Sequence, residues 1–137
     1  MRAVLDTNVL ISGVIATGVP HRVLVAGYSD DYQIVASVET LDEFRATLRK
    51  YPDRFNMDDD AIQREVETVR YFAEFVDPEA DISAVDADPD DDKFLEAAVS
   101  GDVNYLVSGD QHLLDLNSFR TVDIVTPRQF FERIDEE

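Results

Sequence analysis

No cysteine occurs among the 137 residues, which excludes disulfides and thiolate metal sites and removes any reason to place the chain in an oxidising compartment. No uninterrupted apolar stretch approaches the ~18 residues that mark a membrane-spanning helix. Asp6 follows Arg2 too closely for a secretory leader. The expectation is a cytoplasmic protein with no membrane partner. Cations are scarce as well: 12 Lys and Arg stand against 30 Asp and Glu, for a net charge of −18, and the lysines are Lys50 and Lys93 alone. The basic footprint of a nucleic-acid binder is therefore missing. An acid-rich, lysine-poor surface suits a cytoplasm of molar salt, where the screening length falls to about 3 Å and self-repulsion is weak. The expectation that follows is an extreme halophile, whose charge describes the solvent rather than the partner.

What is present suffices for one domain over residues 1–137, since 45% of the chain is apolar and a chain of this size buries roughly two-thirds of its unfolded surface. The first dozen residues organise the rest. Val4 and Leu5 lead to Val9, Leu10 and Ile11 across the polar triplet Asp6-Thr7-Asn8, and a Val/Ile-rich run of this kind reads as a strand buried on both faces. A carboxylate at such a place is costly to desolvate unless something pairs with it, and ligands of open α/β sheets gather at the carboxyl ends of the strands. Asp6 is thus the first candidate for chemistry.

Pro20 to Tyr28 reads as a short helix, Tyr32 to Ala36 as a second strand, and Ser37 to about Lys50 as a helix with Leu41, Phe44 and Leu48 on one face. Tyr51-Pro52-Asp53 breaks it. Asp58-Asp59-Asp60 caps a helix with the stripe Ile62, Val66, Val69, Ala73 and Val76. Residues 77–92 read as an acidic surface loop, followed by a helix from about Asp90 to Ser100 and a third buried strand, Tyr105 to Ser108. A short helix through Leu113, Leu114 and Leu116 precedes a strand from Val122 to Val125, and Thr126-Pro127 opens a last helix carrying Phe130, Phe131 and Ile134. Strands alternating with helices predict an α/β fold with a mostly parallel sheet covered on both faces.

Four acids fall where such a sheet would gather them: Asp6, Glu43, Asp91 and Asp110. Asp91 stands on the apolar face of its helix with Leu95 and Ala98, while Asp92 lies at that face's edge; the plainer reading of Asp91 is an N-cap favoured by the helix dipole. Glu43 and Asp42 flank the Leu41/Phe44/Leu48 stripe from opposite sides. Asp110 also reads as a turn residue or cap. Two unit charges about 4 Å apart repel by about 4 kcal/mol at an effective dielectric near 20, so a carboxylate cluster needs a cation among its members. All-oxygen ligands select a hard ion, Mg²⁺ or Mn²⁺, and phosphodiester hydrolysis is the reaction class that uses one in this setting. Arg45 and Arg49 form an i, i+4 pair beside Glu43, with Lys50 and Arg54 near, and are candidates for the phosphate backbone or simply solvated cations. His21 and His112 read as surface or turn residues, and Phe130 and Phe131 as core.

The opening VLDTNVLIS (residues 4–12) resembles the first motif of PIN-domain ribonucleases, and SVETLDEF (37–44), DPDDDKFLEA (88–97) and YLVSGDQHLL (105–114) continue the resemblance in the family's order. The resemblance implies a three-layer α/β/α fold with a central, mostly parallel sheet. It also implies metal-dependent endoribonuclease activity on single-stranded RNA by a metal-activated water, and a homodimer. By position, Asp6, Glu43, Asp91 and Asp110 match the acidic quartet that holds Mg²⁺ or Mn²⁺, and Asn8 and Ser108 match polar residues that support it. Within Asp90-Asp91-Asp92 the match can slip by one, to Asp92. The subgroup it is most similar to is the small single-domain PIN proteins that act as toxins of toxin–antitoxin pairs, which implies an antitoxin protein as a partner; an RNA-processing role fits equally well. A phosphotransfer receiver would need a lysine after a late strand, where this chain has none, and a dehalogenase-type phosphatase would want an acid where Asn8 stands. The remaining alternative, from another class, is a non-cleaving RNA- or protein-binding module.

Overall fold

Arg2–Leu5 forms the first strand, β1, and sits in the interior of the sheet rather than at its edge. The computed structural model describes residues 1–50, 55–78 and 91–136. The acidic loop, the break at residues 51–53, Asp90 and Arg54 lie wholly or mostly outside these. After β1 come helices α1 (Thr7–Ile15) and α2 (Val19–Tyr28), strand β2 (Gln33–Ala36) and helices α3 (Val38–Lys50) and α4 (Asp59–Phe72). Strand β3 (Glu74–Phe75), helix α5 (Asp92–Ser100), strand β4 (Tyr105–Val107) and helix α6 (Gln111–Leu114) follow. Strands β5 (Ser118–Phe119) and β6 (Val122–Val125) and helix α7 (Pro127–Asp135) complete the order.

The strand order is β3-β2-β1-β4-β6-β5, with every neighbouring pair parallel except β5 and β6. Period-2 alternation along the strands divides the core into two. Val4, Val35, Leu106 and Ile124 lie in register on one face and meet Phe94, Leu95 and Ala98 of α5. Ala3, Leu5, Ile34, Val107 and Val125 belong to the other face, where α1, α2, α3, α4 and α7 supply Val9, Leu24, Phe44, Ile62 and Phe130. The chain therefore forms the three-layer α/β/α arrangement expected of it. Gly27 of α2 lies so close to the sheet side that a Cβ there would stand 2.6 Å from Ile34 Cδ1. Among the described residues no single helix is long and apolar enough to cross a membrane.

The local signals for several elements hold. Ser37 and Thr40 exchange side-chain-to-backbone hydrogen bonds at the start of α3, Asp58 caps α4 through the Ala61 amide at 2.8 Å, and Thr126 and Gln129 form a capping box on α7. Two expectations fail. Val9, Leu10 and Ile11 do not extend the first strand; they lie in α1, because Asp6 accepts the Val9 amide at 2.9 Å and turns the chain into a helix at once. That helix buries Thr7, Val9, Leu10, Ile11 and Gly13, and a helix hidden on several sides presents the same continuous apolar run as a buried strand. The α4 stripe also stops short of Ala73 and Val76. Ala73 is the C-cap, Glu74–Phe75 pairs with β2, and the Val76 amide donates to Ala36 O at 2.9 Å.

Candidate functional site

Chain direction across the sheet reverses between β1 and β4: β2 and β3 are laid down on one side of β1, and β4, β6 and β5 on the other. At such a switch point the connections leave in opposite directions and open a crevice at the strands' carboxyl ends. Asp6 follows β1 and Ser108 follows β4, their strands held in register through Leu5 and Val107. The Asp6 amide donates to Val107 O at 3.0 Å and the Ser108 amide to Val125 O at 2.9 Å, so both residues are fixed by the sheet itself.

Asp6 is 3% exposed. One carboxylate oxygen accepts from the Val9 amide, the other from the Ser108 hydroxyl. Ser108 Oγ in turn accepts the Asp110 amide at 2.9 Å, a relay that ties the end of β1 to the turn after β4. Burial pushes the Asp6 carboxyl up to about 6; the Ser108 and Val9 hydrogen bonds pull against this, and the negative charges of Asp110 and Glu43 add to it. Asp110 uses one oxygen to cap α6 through the His112 amide at 2.8 Å, so the cap reading holds for it. Glu43, carried toward β1 by α3, accepts from the Thr7 hydroxyl on one oxygen and from the Lys93 ammonium on the other, the latter at 3.0 Å. Asp91 occupies the N-cap position of α5, with φ −74° and ψ −16° and no side-chain capping bond to that helix.

These side chains line one cleft of about 210 Å³: Asp6, Glu43, Asp91 and Asp110, together with Thr7, Asn8, Thr47 and Phe94. The structure thus brings the four acids singled out in the sequence, and Asn8, to one place, with Ser108 fully buried beneath Asp6. Asp92 is buried but does not line the cleft. Arg45 and Arg49 do not reach it either. They line a separate groove on α3 with Asp42, Ala46 and Lys50, and Arg45 pairs with Asp42 at 3.7 Å. The sequence reading passed over Thr7 and Lys93, the two donors on Glu43. Thr7 sits within the polar triplet beside Asp6, and Lys93 is one of only two lysines, so a signal for each was present. His21 donates from Nδ1 to Gly13 O at 2.8 Å, away from the cleft, and Phe130 is core.

The donor set is all oxygen, acidic and partly desolvated, which fits a hard divalent cation such as Mg²⁺ or Mn²⁺ in its chemistry. The raised Asp6 carboxyl is due chiefly to burial, with the negative charges of Asp110 and Glu43 adding to it, and a cation there would relieve that added repulsion. As the side chains stand, however, no three carboxylates or imidazoles among the described residues converge closely enough to hold a metal ion. Each of Asp6, Glu43 and Asp110 is instead turned onto protein donors.

A three-layer α/β/α domain with a cleft of carboxylates at its topological switch point defines a class: an acid-cluster α/β domain with the donors for a divalent ion. The family model of the PIN domain matches residues 2–112, and the chain belongs to that family. The match takes in all four carboxylates of the cleft and leaves β5, β6 and α7 beyond it. PIN domains are in general nucleases that bind RNA and typically use divalent metals. None of the curated proteins matches the chain.

Proposed function

We propose that the chain is a Mg²⁺- or Mn²⁺-dependent endoribonuclease that hydrolyses phosphodiester bonds of single-stranded RNA. The observation that carries this reading is the convergence of four carboxylates, from four separate segments, on one cleft at the switch point. Asp6, Asp91 and Asp110 are the principal metal ligands in this reading, and Glu43 joins them directly or through water. Bound there, the ion lowers the pKa of a water and neutralises charge on the phosphate. The protein's own part is positioning. Ser108 and the Val9 amide hold Asp6 at the floor, the Ser108 hydroxyl sets the turn that carries Asp110, and Asn8 faces the same cleft from the first turn of α1. Arg45 and Arg49 lie outside this set and are left to contacts with RNA backbone beyond the cleft.

Strong salt is the setting for this activity, since screening is what lets a polyanion approach a chain of net charge −18. In the cell the reading places the protein in the cytoplasm of a halophile as a homodimer, in a toxin-like role opposed by an antitoxin protein or in RNA processing. Growth arrest on induction, relieved by a co-expressed neighbour, would select the toxin role. The direct test incubates purified protein in high salt with a mixed single-stranded RNA, with Mn²⁺ or with EDTA, beside an Asp6→Asn protein. Cleavage is expected in the Mn²⁺ wild-type sample alone. Equal inertness of both proteins while Mn²⁺ still binds would replace this reading with that of a non-cleaving binding module.

A further inference from the structure

We propose that the Lys93 ammonium is a tethered counter-ion for the cleft: it holds the Glu43 carboxylate in the metal-free protein, and a divalent ion takes Glu43 from it on binding. The proposal rests on the metal-dependent reading above. It starts from where Lys93 stands. As the second residue of α5 it lies at the positive end of that helix's dipole, where a cation is disfavoured, so its position needs another cause. That cause is Glu43, whose Oε1 accepts from Nζ at 3.0 Å across 50 residues of sequence. The pair is half-buried, with side chains 26% and 28% exposed, and is shielded from solvent more than a surface ion pair is.

Both Glu43 oxygens are engaged, one by Lys93 and one by Thr7. This accounts for an otherwise awkward pair of facts: four acids line one cleft, yet no three of them converge on a point among the described residues. With Glu43 drawn to the ammonium, the carboxylate repulsion that a metal-free cleft would suffer is partly neutralised, and the acids need not be driven apart. The identity of the cation matters. An ammonium is a compact charge on a flexible stem and can leave one carboxylate without breaking a bidentate fork, whereas a guanidinium would clamp Glu43 through two parallel bonds. In a chain with ten arginines and two lysines, the cation that reaches Glu43, though not itself lining the cleft, is the releasable one. Lys93 is a positioning residue in this scheme, acting through Glu43.

The test measures Mn²⁺ affinity by titration calorimetry on the full chain, for wild type, Lys93→Met and Lys93→Arg, and for each of the first two in a Glu43→Gln background. Removing a unit charge beside the site is expected to tighten Mn²⁺ binding on the order of tenfold, while Lys93→Arg binds no more tightly than wild type. The gain is expected to fall below about twofold in the Glu43→Gln background, as the coupling of two contacting residues requires. Equal or weaker binding by a folded Lys93→Met protein would overturn the proposal, and so would a full gain without Glu43. Because an unpaired Glu43 can destabilise the fold, Lys93→Gln, which keeps a hydrogen-bond donor without the charge, is titrated alongside and is expected to show the same direction of change. Absence of Mn²⁺ binding in every protein, wild type included, would instead remove the metal-dependent reading itself.

Discussion

Asp6 serves as a helix cap and as a buried anion at once, and the two roles pull on its stability in opposite directions. The cap bond to Val9 holds the start of α1, but the carboxyl titrates near 6 in the fold against 3.8 in an unfolded chain. A group whose folded pKa is raised binds the proton more tightly when native, so its contribution is greatest below the unfolded value and is lost as pH rises through the folded one. In the absence of metal, ionised Asp6 therefore lowers stability above about pH 6, by roughly 2–3 kcal/mol. An amide in its place can still accept the Val9 N–H while facing Ser108, without the charge. Asp6→Asn is expected to melt higher than wild type in EDTA at about pH 7.5, with the gap closing toward pH 4; a scanning calorimetry series in pH checks this. A gap that stays constant with pH would show that the carboxyl's ionisation is not its source. At this scale the sequence was informative about acids and poor about their partners. Asp6, Asp91 and Asp110 stood out at the ends of elements and Glu43 beside the stripe of its helix, whereas the bonds of Thr7 and Lys93 to Glu43 become visible only when α1, α3 and α5 are packed together.

At the scale of elements, α2 is seated closely enough on the sheet that a single added atom decides the fit. A methyl group at Gly27 would stand 2.6 Å from Ile34 Cδ1 and 3.0 Å from the Tyr32 hydroxyl, and Ile34 is a core residue with little room to yield. Gly27→Ala gains helix propensity, yet overpacking is expected to outweigh it and destabilise the protein by about 1–3 kcal/mol. Chemical denaturation measures the difference, and an alanine protein as stable as wild type would show that α2 can shift off the sheet. Elements with caps and amphipathic stripes, such as α3, α4 and α7, were legible because the signal is local. The apolar run at Val9–Ile11 was not, since periodicity disappears when an element is buried on several sides. Strands β3 and β5 have two residues each, too few for alternation, and their pairing is decided by neighbours distant in sequence.

For the whole molecule the dominant quantity is the net charge of −18. Self-repulsion of that size destabilises a compact state at low ionic strength and is screened within about 3 Å in molar salt. The midpoint of urea unfolding is expected to rise steadily from about 0.1 M to about 2 M KCl, beyond what osmolyte exclusion gives a charge-balanced domain of equal size. A midpoint already maximal in dilute buffer would remove the halophilic reading of the composition while leaving the fold and the cleft untouched. The alternation of strands and helices was enough to indicate a parallel sheet covered on both faces; the reversal between β1 and β4, which makes the cleft, became visible only with the strand order.

The tie between Asp6 and Ser108 spans 102 positions, and it has a consequence for the protein's own synthesis. Asp6 is translated well before Asp110, so a nascent chain that ends short of β4 lacks part of the cleft. A growing polypeptide that is still attached to its messenger, surrounded by ribosomal RNA, carries the opening acid without the residues that complete the site. The topology thus delays assembly of the carboxylate cleft until β4 and the turn after it have been made.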